Sequence, residues 1–190
     1  MNPCLKAIPA PILYGETQTG AADGGTLVLG KWSQTKQIFI SYSSKDTKEI
    51  NELTLHLDLY KNNGSIDYYL DTKMQDSEEW NPQIMQEMER ANVLLMLLSP
   101  GYFSSPYIVQ KEIPMALKYL AEVKKTKQVY WILLKPCSYT AWPEIAKHQV
   151  YPQKEYDPVK GVGIQKAICE YPSQDRKWTE LLQFVFDEDR

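Results

Sequence analysis

VLLMLLS, residues Val93 to Ser99, is the segment that is most informative about the fold. Every residue before the final serine is apolar, so no polar residue alternates with the apolar ones. A strand that is buried on both faces has this pattern, whereas a strand with one solvated face alternates. Because strands of this kind belong to parallel sheets with helices on both sides, the sequence predicts a central parallel strand here.

Strands and helices alternate on both sides of this central strand. Short apolar or aromatic runs predict three more strands, at Gln37 to Tyr42, Ile66 to Leu70 and Gln128 to Leu134. Helical spacing predicts helices from Ile50 to Tyr60, from Trp80 to Ala91, from Ser105-Pro106 toward Lys124, and from Trp178 to Phe186. After Lys135 the prolines interrupt the pattern, and no elements are assigned before the last helix.

This alternation predicts an α/β fold with right-handed crossovers. We expect a flavodoxin-like open sheet of about five mostly parallel strands, in the order 2-1-3-4-5, with helices on both faces. Residues 1–35, which include the GAADGG segment, have no sustained periodicity and are expected to form a flexible tail or linker. The folded domain is expected to span residues 36–190.

Two local features of the helices are also predicted. Ser43 and Asp46 form an S-x-x-D capping signature ahead of the first helix. Lys124, Lys125 and Lys127 indicate a solvated helix end, where cations are favourable.

The composition excludes several classes of function. A net charge of -3 gives no general attraction to nucleic acid or to anionic membranes. The chain has no apolar run long enough to span a bilayer, so we expect a cytoplasmic protein. Three scattered cysteines, at positions 4, 137 and 169, indicate reduced thiols. With only His56 and His148, neither a zinc site nor a Ser-His-Asp triad is favoured, and no metal is expected.

In open parallel sheets a ligand binds beyond the carboxyl ends of the strands, where the strand order reverses. Here that point lies between the first and third strands, so the site is expected in the loops Ser41 to Asp46 and Ser99 to Glu112. The loop Asp71 to Trp80 reaches the same rim. The first strand is followed by SYSSKD and lacks the G-x-G-x-x-G of a bound dinucleotide cofactor, so no cofactor is expected.

Four segments together resemble bacterial TIR (Toll/interleukin-1 receptor homology) domains. They are IFISYSSKD (38–46), YLDTKMQDSEEW (69–80), VLLMLLSPGYFSS (93–105) and QKEIPMAL (110–117). The resemblance runs from about Gln37 to the final helix. Enzymatic members of this family hydrolyse or cyclise NAD+, with a catalytic glutamate in the helix after the third strand, where Glu112 stands.

The resemblance therefore implies an NAD+ glycohydrolase of the bacterial defence type. It would release nicotinamide with ADP-ribose or a cyclic isomer, with NAD+ as substrate. One carboxylate can suffice because nicotinamide already carries positive charge and departs neutral, which leaves an oxocarbenium-like ribosyl centre for Glu112 to stabilise. Without the resemblance, Glu112 would be interpreted as an exposed helix residue. Pro114, two residues further on, predicts a kinked backbone beside it.

Other site residues follow from the resemblance. Substrate-binding roles are implied at six positions: Tyr42, Ser43, Ser44, Asp71, Trp80 and Tyr107. Trp80 is equally compatible with a core anchor for the second helix, and Asp71 with a turn former. Two positions depart from the family pattern: Ile108 replaces a tryptophan that stacks on nicotinamide, beside Tyr107, and Ser77 replaces a glycine. Either Tyr107 supplies the stacking or the stacking is weaker, and the loop that contains Ser77 is less free to move. The rate of NAD+ cleavage and its activation are therefore expected to differ from those of relatives.

Two other functions stay open at this point. One is a non-catalytic TIR module that works by self-association and adaptor binding, and the other is a receptor for a nucleotide signal. For the enzyme we expect activation through TIR-TIR contacts between copies, because a neighbouring copy can complete a pocket built from three loops. The sequence also leaves room for a regulatory partner protein.

Overall fold

The computed structural model describes residues 35–70, 82–123 and 127–187 of the 190-residue chain. The predicted tail and the predicted loop after the second strand fall outside these ranges. The described residues form a five-stranded parallel sheet of β1 (Lys36–Ser41), β2 (Ile66–Leu70), β3 (Val93–Leu98), β4 (Gln128–Leu133) and β5 (Val150–Tyr151). A separate antiparallel hairpin pairs β6 (Glu155–Asp157) with β7 (Val162–Ile164).

The order of the main sheet is β2-β1-β3-β4-β5, and every neighbouring pair is parallel. This confirms the predicted order. β3 pairs with β4 along its whole length, from Val93 opposite Gln128 to Leu98 opposite Leu133. All six residues of β3 are buried, which is why the strand needs no polar alternation.

Helices cover both faces of the sheet, as predicted. The α-helices of the described ranges are α1 (Thr47–Asn62), α2 (Pro82–Arg90), α3 (Pro100–Phe103), α4 (Ile113–Ala121), α5 (Pro143–Ala146) and α6 (Gln174–Asp187). On one face α1 and α6 pack through residues such as Leu53 and Trp178. On the other, α2 and α4 pack through residues such as Met88 and Ala116. None of the helices within the described ranges has both the length and the apolar character that a bilayer crossing requires.

Successive residues of β1 face opposite sides of the sheet, as the period of a strand requires. Ile38 and Ile40 pack on the side of α1 and α6, and Tyr42 just after the strand packs with the same cluster. Phe39 packs on the side of α2 and α4. Ser41 follows Phe39 by two positions and therefore belongs to the α2 and α4 side.

The segment after Lys135, which the sequence left unassigned, contains short elements. β5 is two residues long and pairs with β4 only at Val150 and Tyr151. In the turn between β6 and β7, Gly161 adopts a φ of 65°, a conformation that glycine takes without steric cost. Its neighbour Gly163 lies in β7, so these glycines shape a hairpin.

The predicted capping pair ahead of α1 is wrong. Ser43 accepts a hydrogen bond from the N–H of Lys45, at 3.3 Å, and so caps the short 3-10 turn that precedes α1. The carboxylate of Asp46 turns away from this cap and accepts a hydrogen bond from the hydroxyl of Ser99. The side chain of Asp46 is therefore held by a tertiary contact with Ser99 and is not part of a cap.

The predicted solvated helix end is also wrong for Lys127, which is half-buried. Its Nζ donates to the carbonyls of Met88 at 3.4 Å and Ala91 at 2.6 Å, around the end of α2. Burial lowers the pKa of Lys127 from its ordinary value. Lys127 thus serves as a C-terminal cap for α2, where carbonyls lack partners within the helix.

Candidate functional site

Glu112 ends a π-helical turn, Ile108–Glu112, that leads directly into α4. The N–H of Ile113 donates to the carbonyl of Ile108, five residues back. Pro114 has no N–H to donate to the carbonyl four residues before it, so it favours a departure from α-helical bonding at this point. The predicted distortion beside Glu112 takes the form of this wider turn. Such turns are rare and concentrate at functional sites.

The carboxylate of Glu112 lies inside the protein, with the residue 3% exposed. Ser41, at the end of β1, donates a hydrogen bond from Oγ to Oε2 of Glu112. The Oγ of Ser41 also lies 2.9 Å from the hydroxyl of Tyr102 in α3. A serine hydroxyl has a single proton, so the hydroxyl of Tyr102 donates to Ser41. We call this series of hydrogen bonds, from Tyr102 through Ser41 to Glu112, the hydroxyl chain.

All three members of the hydroxyl chain are buried, and Tyr102 is fully so. Burial, and after it the negative charge of Glu112, raise the pKa of Tyr102 well above its ordinary value, although the hydrogen bond with Ser41 opposes this shift. The phenol therefore stays protonated at neutral pH. It keeps its role as the donor at the far end of the chain.

A second polar cluster lies beside the first, and we call it the lysine cluster. Lys135, just after β4, places Nζ 2.9 Å from Oδ1 of Asp46 and 3.0 Å from Oε2 of Glu49. Ser99 completes the cluster through its bond to Asp46. Burial by itself would lower the pKa of Lys135, but the hydrogen bonds to the two carboxylates outweigh it and raise the pKa. No group of His, Cys, Asp and Glu within the described ranges is arranged to hold a metal ion.

The two clusters meet at α3. Ser99 caps α3 by accepting a hydrogen bond from the N–H of Tyr102 at 3.0 Å. A Cβ added to Gly101 would lie 2.7 Å from Oγ of Ser43 and 3.2 Å from its Cβ. Only glycine fits at this distance without movement, so the loop after β1 packs directly on the first turn of α3.

Comparison with known proteins decides the family. A family model described as TIR domain matches residues 38–161, more than half of the chain. The protein belongs to the TIR domain family. A solved structure, the TIR domain of the Toll-related receptor TRR-2 from Hydra magnipapillata in crystal form I, is similar at 16% sequence identity. The similarity covers 78% of this chain and 96% of that one, with a TM-score of 0.48. No curated protein matches the sequence.

The TIR domain places some of the predicted site residues together. Tyr107 immediately precedes the π turn, is half-buried, and packs against the same cluster as Tyr102 and α4. Ser43 is 5% exposed and lies against Gly101, whereas Ser44 is exposed at the rim. These residues and Glu112 all belong to the loops after β1 and β3.

Tyr42 lies apart from this group, because its side chain packs with the cluster on the α1 and α6 side of the sheet. Ile108, where many active relatives have a tryptophan, is 1% exposed and part of the core on the α2 and α4 side. Asp71 and Trp80 lie outside the described residues, as does Ser77.

Sequence reasoning missed Ser41 and Tyr102. The signal for Ser41 was available, because period-two alternation from Phe39 puts residue 41 on the same side of the sheet as Phe39. Tyr102 gave no comparable signal. Its four-residue helix is too short for an apolar period, and only the packed structure shows its hydroxyl beside Ser41.

Proposed function

We propose that this TIR domain cleaves the N-glycosidic bond between nicotinamide and ribose in NAD+, with Glu112 as the catalytic residue. The products are nicotinamide and ADP-ribose or a cyclic ADP-ribose isomer. The observation that carries the proposal is the placement of Glu112, which is 3% exposed and hydrogen-bonded to Ser41 at the carboxyl end of β1. That edge is where open parallel sheets bind ligands.

Burial supports a catalytic role on energetic grounds. A carboxylate loses solvation when it is buried, so a buried glutamate requires a structural or chemical reason. In a site of low dielectric constant, its charge also acts more strongly on a neighbouring cation. At an effective dielectric constant of about 20, unit charges about 4 Å apart attract by about 4 kcal/mol. If this attraction arises only in the transition state, it corresponds to roughly 10³-fold in rate.

The remaining roles in the proposal belong to the rim of the site. Tyr107, beside the π turn, stacks on the nicotinamide ring in place of the tryptophan that many active relatives carry where this chain has Ile108. Ser43 and Ser44 contact the nicotinamide ribose. Tyr42 contributes to the substrate pocket because it begins the loop that carries these two serines. Asp71 and Trp80 are proposed to bind substrate from the segment after β2.

The direct test is incubation of the purified wild-type protein with NAD+, followed by chromatography with product identification. We expect nicotinamide to appear together with an equal amount of ADP-ribose or its cyclic isomer. The incubation is repeated over a range of protein concentrations and with a crowding agent, while light scattering records assembly. If NAD+ stays intact under every one of these conditions, the proposal is wrong.

We also propose that activity depends on self-association, as in an effector of bacterial defence that a regulatory partner or trigger brings together. The rate per protein molecule should then rise steeply over the concentration range in which light scattering detects assembly. A rate that stays strictly proportional to protein concentration through that range would exclude this mode of activation. The cleavage proposal would stand in that case.

A non-catalytic interaction module is the second candidate, and one observation favours it. Leu55 and Leu59, one helical turn apart on α1, are 70% and 68% exposed. Exposed leucines at this spacing provide an apolar surface for contact with another protein. The module predicts assembly in light scattering without nicotinamide release, so the same experiment separates the two candidates.

A further inference from the structure

We infer that Ser41 and Tyr102 are positioning residues, which hold the carboxylate of Glu112 in one orientation for the reaction. This inference rests on the proposed function and names two residues that act through Glu112 without touching NAD+. Its basis is the hydroxyl chain, in which Tyr102 donates to Ser41 and Ser41 donates to Glu112.

The two donors come from different elements, and this makes the arrangement rigid. Ser41 is fixed by β1, whose neighbours β2 and β3 pair with it on both sides. Tyr102 is fixed by α3, where Ser99 caps its N–H and its ring stacks edge-on against Phe103 at a centroid distance of 5.7 Å. The Oε2 atom of Glu112 is therefore bonded to a group that cannot follow it if the glutamate side chain rotates.

Hydroxyls suit this task because they orient a carboxylate while adding no net charge. An ammonium group at the same place would offset the negative charge that the ribosyl cation needs nearby. Orientation matters for rate, since a displacement of about 1 Å in a reacting group can cost on the order of 10²-fold. The hydroxyl chain thus helps to stabilise the transition state and contributes little to substrate affinity.

The order of the chain predicts graded effects. Ser41→Ala removes the donor to Glu112 and leaves the hydroxyl of Tyr102 without its acceptor, so kcat should fall by roughly 10- to 100-fold. Tyr102→Phe keeps the ring and the hydrogen bond from Ser41 to Glu112, so kcat should fall by only about 3- to 10-fold. In both variants KM should stay within about threefold of wild type, because neither residue contacts NAD+.

Two control variants make the same substitutions at hydrogen-bonded residues elsewhere. Ser173→Ala removes a hydroxyl that accepts from the N–H of Arg176 at 3.3 Å, at the start of α6. Tyr151→Phe removes a hydroxyl that donates to the carbonyl of Lys177 at 3.2 Å, at the far edge of the sheet. Both controls should keep wild-type kcat and KM.

A second readout works without any catalysis. Glutamate labelled with ¹³C at the side-chain carboxyl is incorporated, and the Glu112 signal is assigned by its absence in Glu112→Gln. In Ser41→Ala the signal should titrate at higher pH than in wild type, because the ionised carboxylate has lost a donor. The Ser173→Ala variant should titrate as wild type does.

The outcomes separate the two proposals. If wild-type protein fails to cleave NAD+, the proposed function is wrong, and the NMR titration still decides whether Ser41 holds the carboxylate. If wild type is active but Ser41→Ala and Tyr102→Phe keep its kcat and the titration is unchanged, the positioning role is wrong while the function stands. Should Ser41→Ala not fold, Tyr102→Phe alone decides, since it preserves the buried ring.

Discussion

The hydroxyl chain and the lysine cluster lie side by side at the carboxyl edge of the sheet, yet they hold their carboxylates by different means. In the lysine cluster, Asp46 and Glu49 share the ammonium group of Lys135. In the hydroxyl chain, Glu112 accepts a hydrogen bond from the hydroxyl of Ser41. An ammonium compensates charge and ties loops together, whereas a hydroxyl orients a carboxylate and leaves its charge as it is. The difference indicates that the lysine cluster serves folding, whereas the hydroxyl chain fits the chemistry that we propose for Glu112.

Lys135→Met gives the largest expected effect on folding. It leaves Asp46 and Glu49 as neighbouring buried carboxylates without their shared cation, so the free energy of unfolding should fall by roughly 3 kcal/mol. Denaturant titration of wild type and variant measures it. Lys147→Met, at an exposed position, is the control and should change stability by less than about 0.5 kcal/mol. If both variants unfold alike, the lysine cluster does not serve folding.

The stabilisation by Lys135 should also depend on pH in one direction. Because its pKa is raised in the folded protein, the stabilisation is complete below the unfolded value of about 10.4 and is lost as pH rises through the folded value. The difference in unfolding free energy between wild type and Lys135→Met should stay constant from about pH 7 to 9 and shrink above about pH 10.4. A difference that grows at high pH would show that another group is responsible.

Gly101→Ala gives a smaller effect at the place where the two clusters meet. The added methyl group would lie 2.7 Å from Oγ of Ser43, so the loop after β1 must move, at a cost of about 1–2 kcal/mol. The matched control is Gly163→Ala, where the nearest atom, Cβ of Lys154, lies 3.5 Å away and no movement is needed. Thermal unfolding compares the two. Equal melting temperatures for both variants would show that the close approach at Gly101 is unimportant for stability.

The sequence predicts those elements of the fold that are long enough to show a regular apolar pattern. β3 and α6 have long apolar patterns, and both lie where the patterns put them. β5 could not be predicted, because a strand of two residues has no period and exists only through its pairing with β4. The hairpin of β6 and β7 is similarly short, and its exposed residues include Tyr156.

The candidate site was only partly predictable for a related reason. Glu112 was identified from its family position, but its burial depends on the packing of α3 and β1 around it. The local capping motif at Ser43 gave a wrong expectation because a tertiary partner, Ser99, competes for Asp46. Local sequence motifs give wrong predictions here where residues that are distant in sequence come into contact. Contacts of this kind form both polar clusters.

The most direct measurement of the central claim is the rate of nicotinamide release by Glu112→Gln and by its control Glu144→Gln, which alters an exposed glutamate of α5. Glutamine keeps the size of the side chain and an oxygen that accepts from Ser41, so both variants should fold and assemble like wild type. All three proteins are compared at one concentration at which light scattering shows assembly. We predict a loss of roughly 10³-fold for Glu112→Gln and wild-type release for Glu144→Gln. Wild-type release by Glu112→Gln would contradict the account.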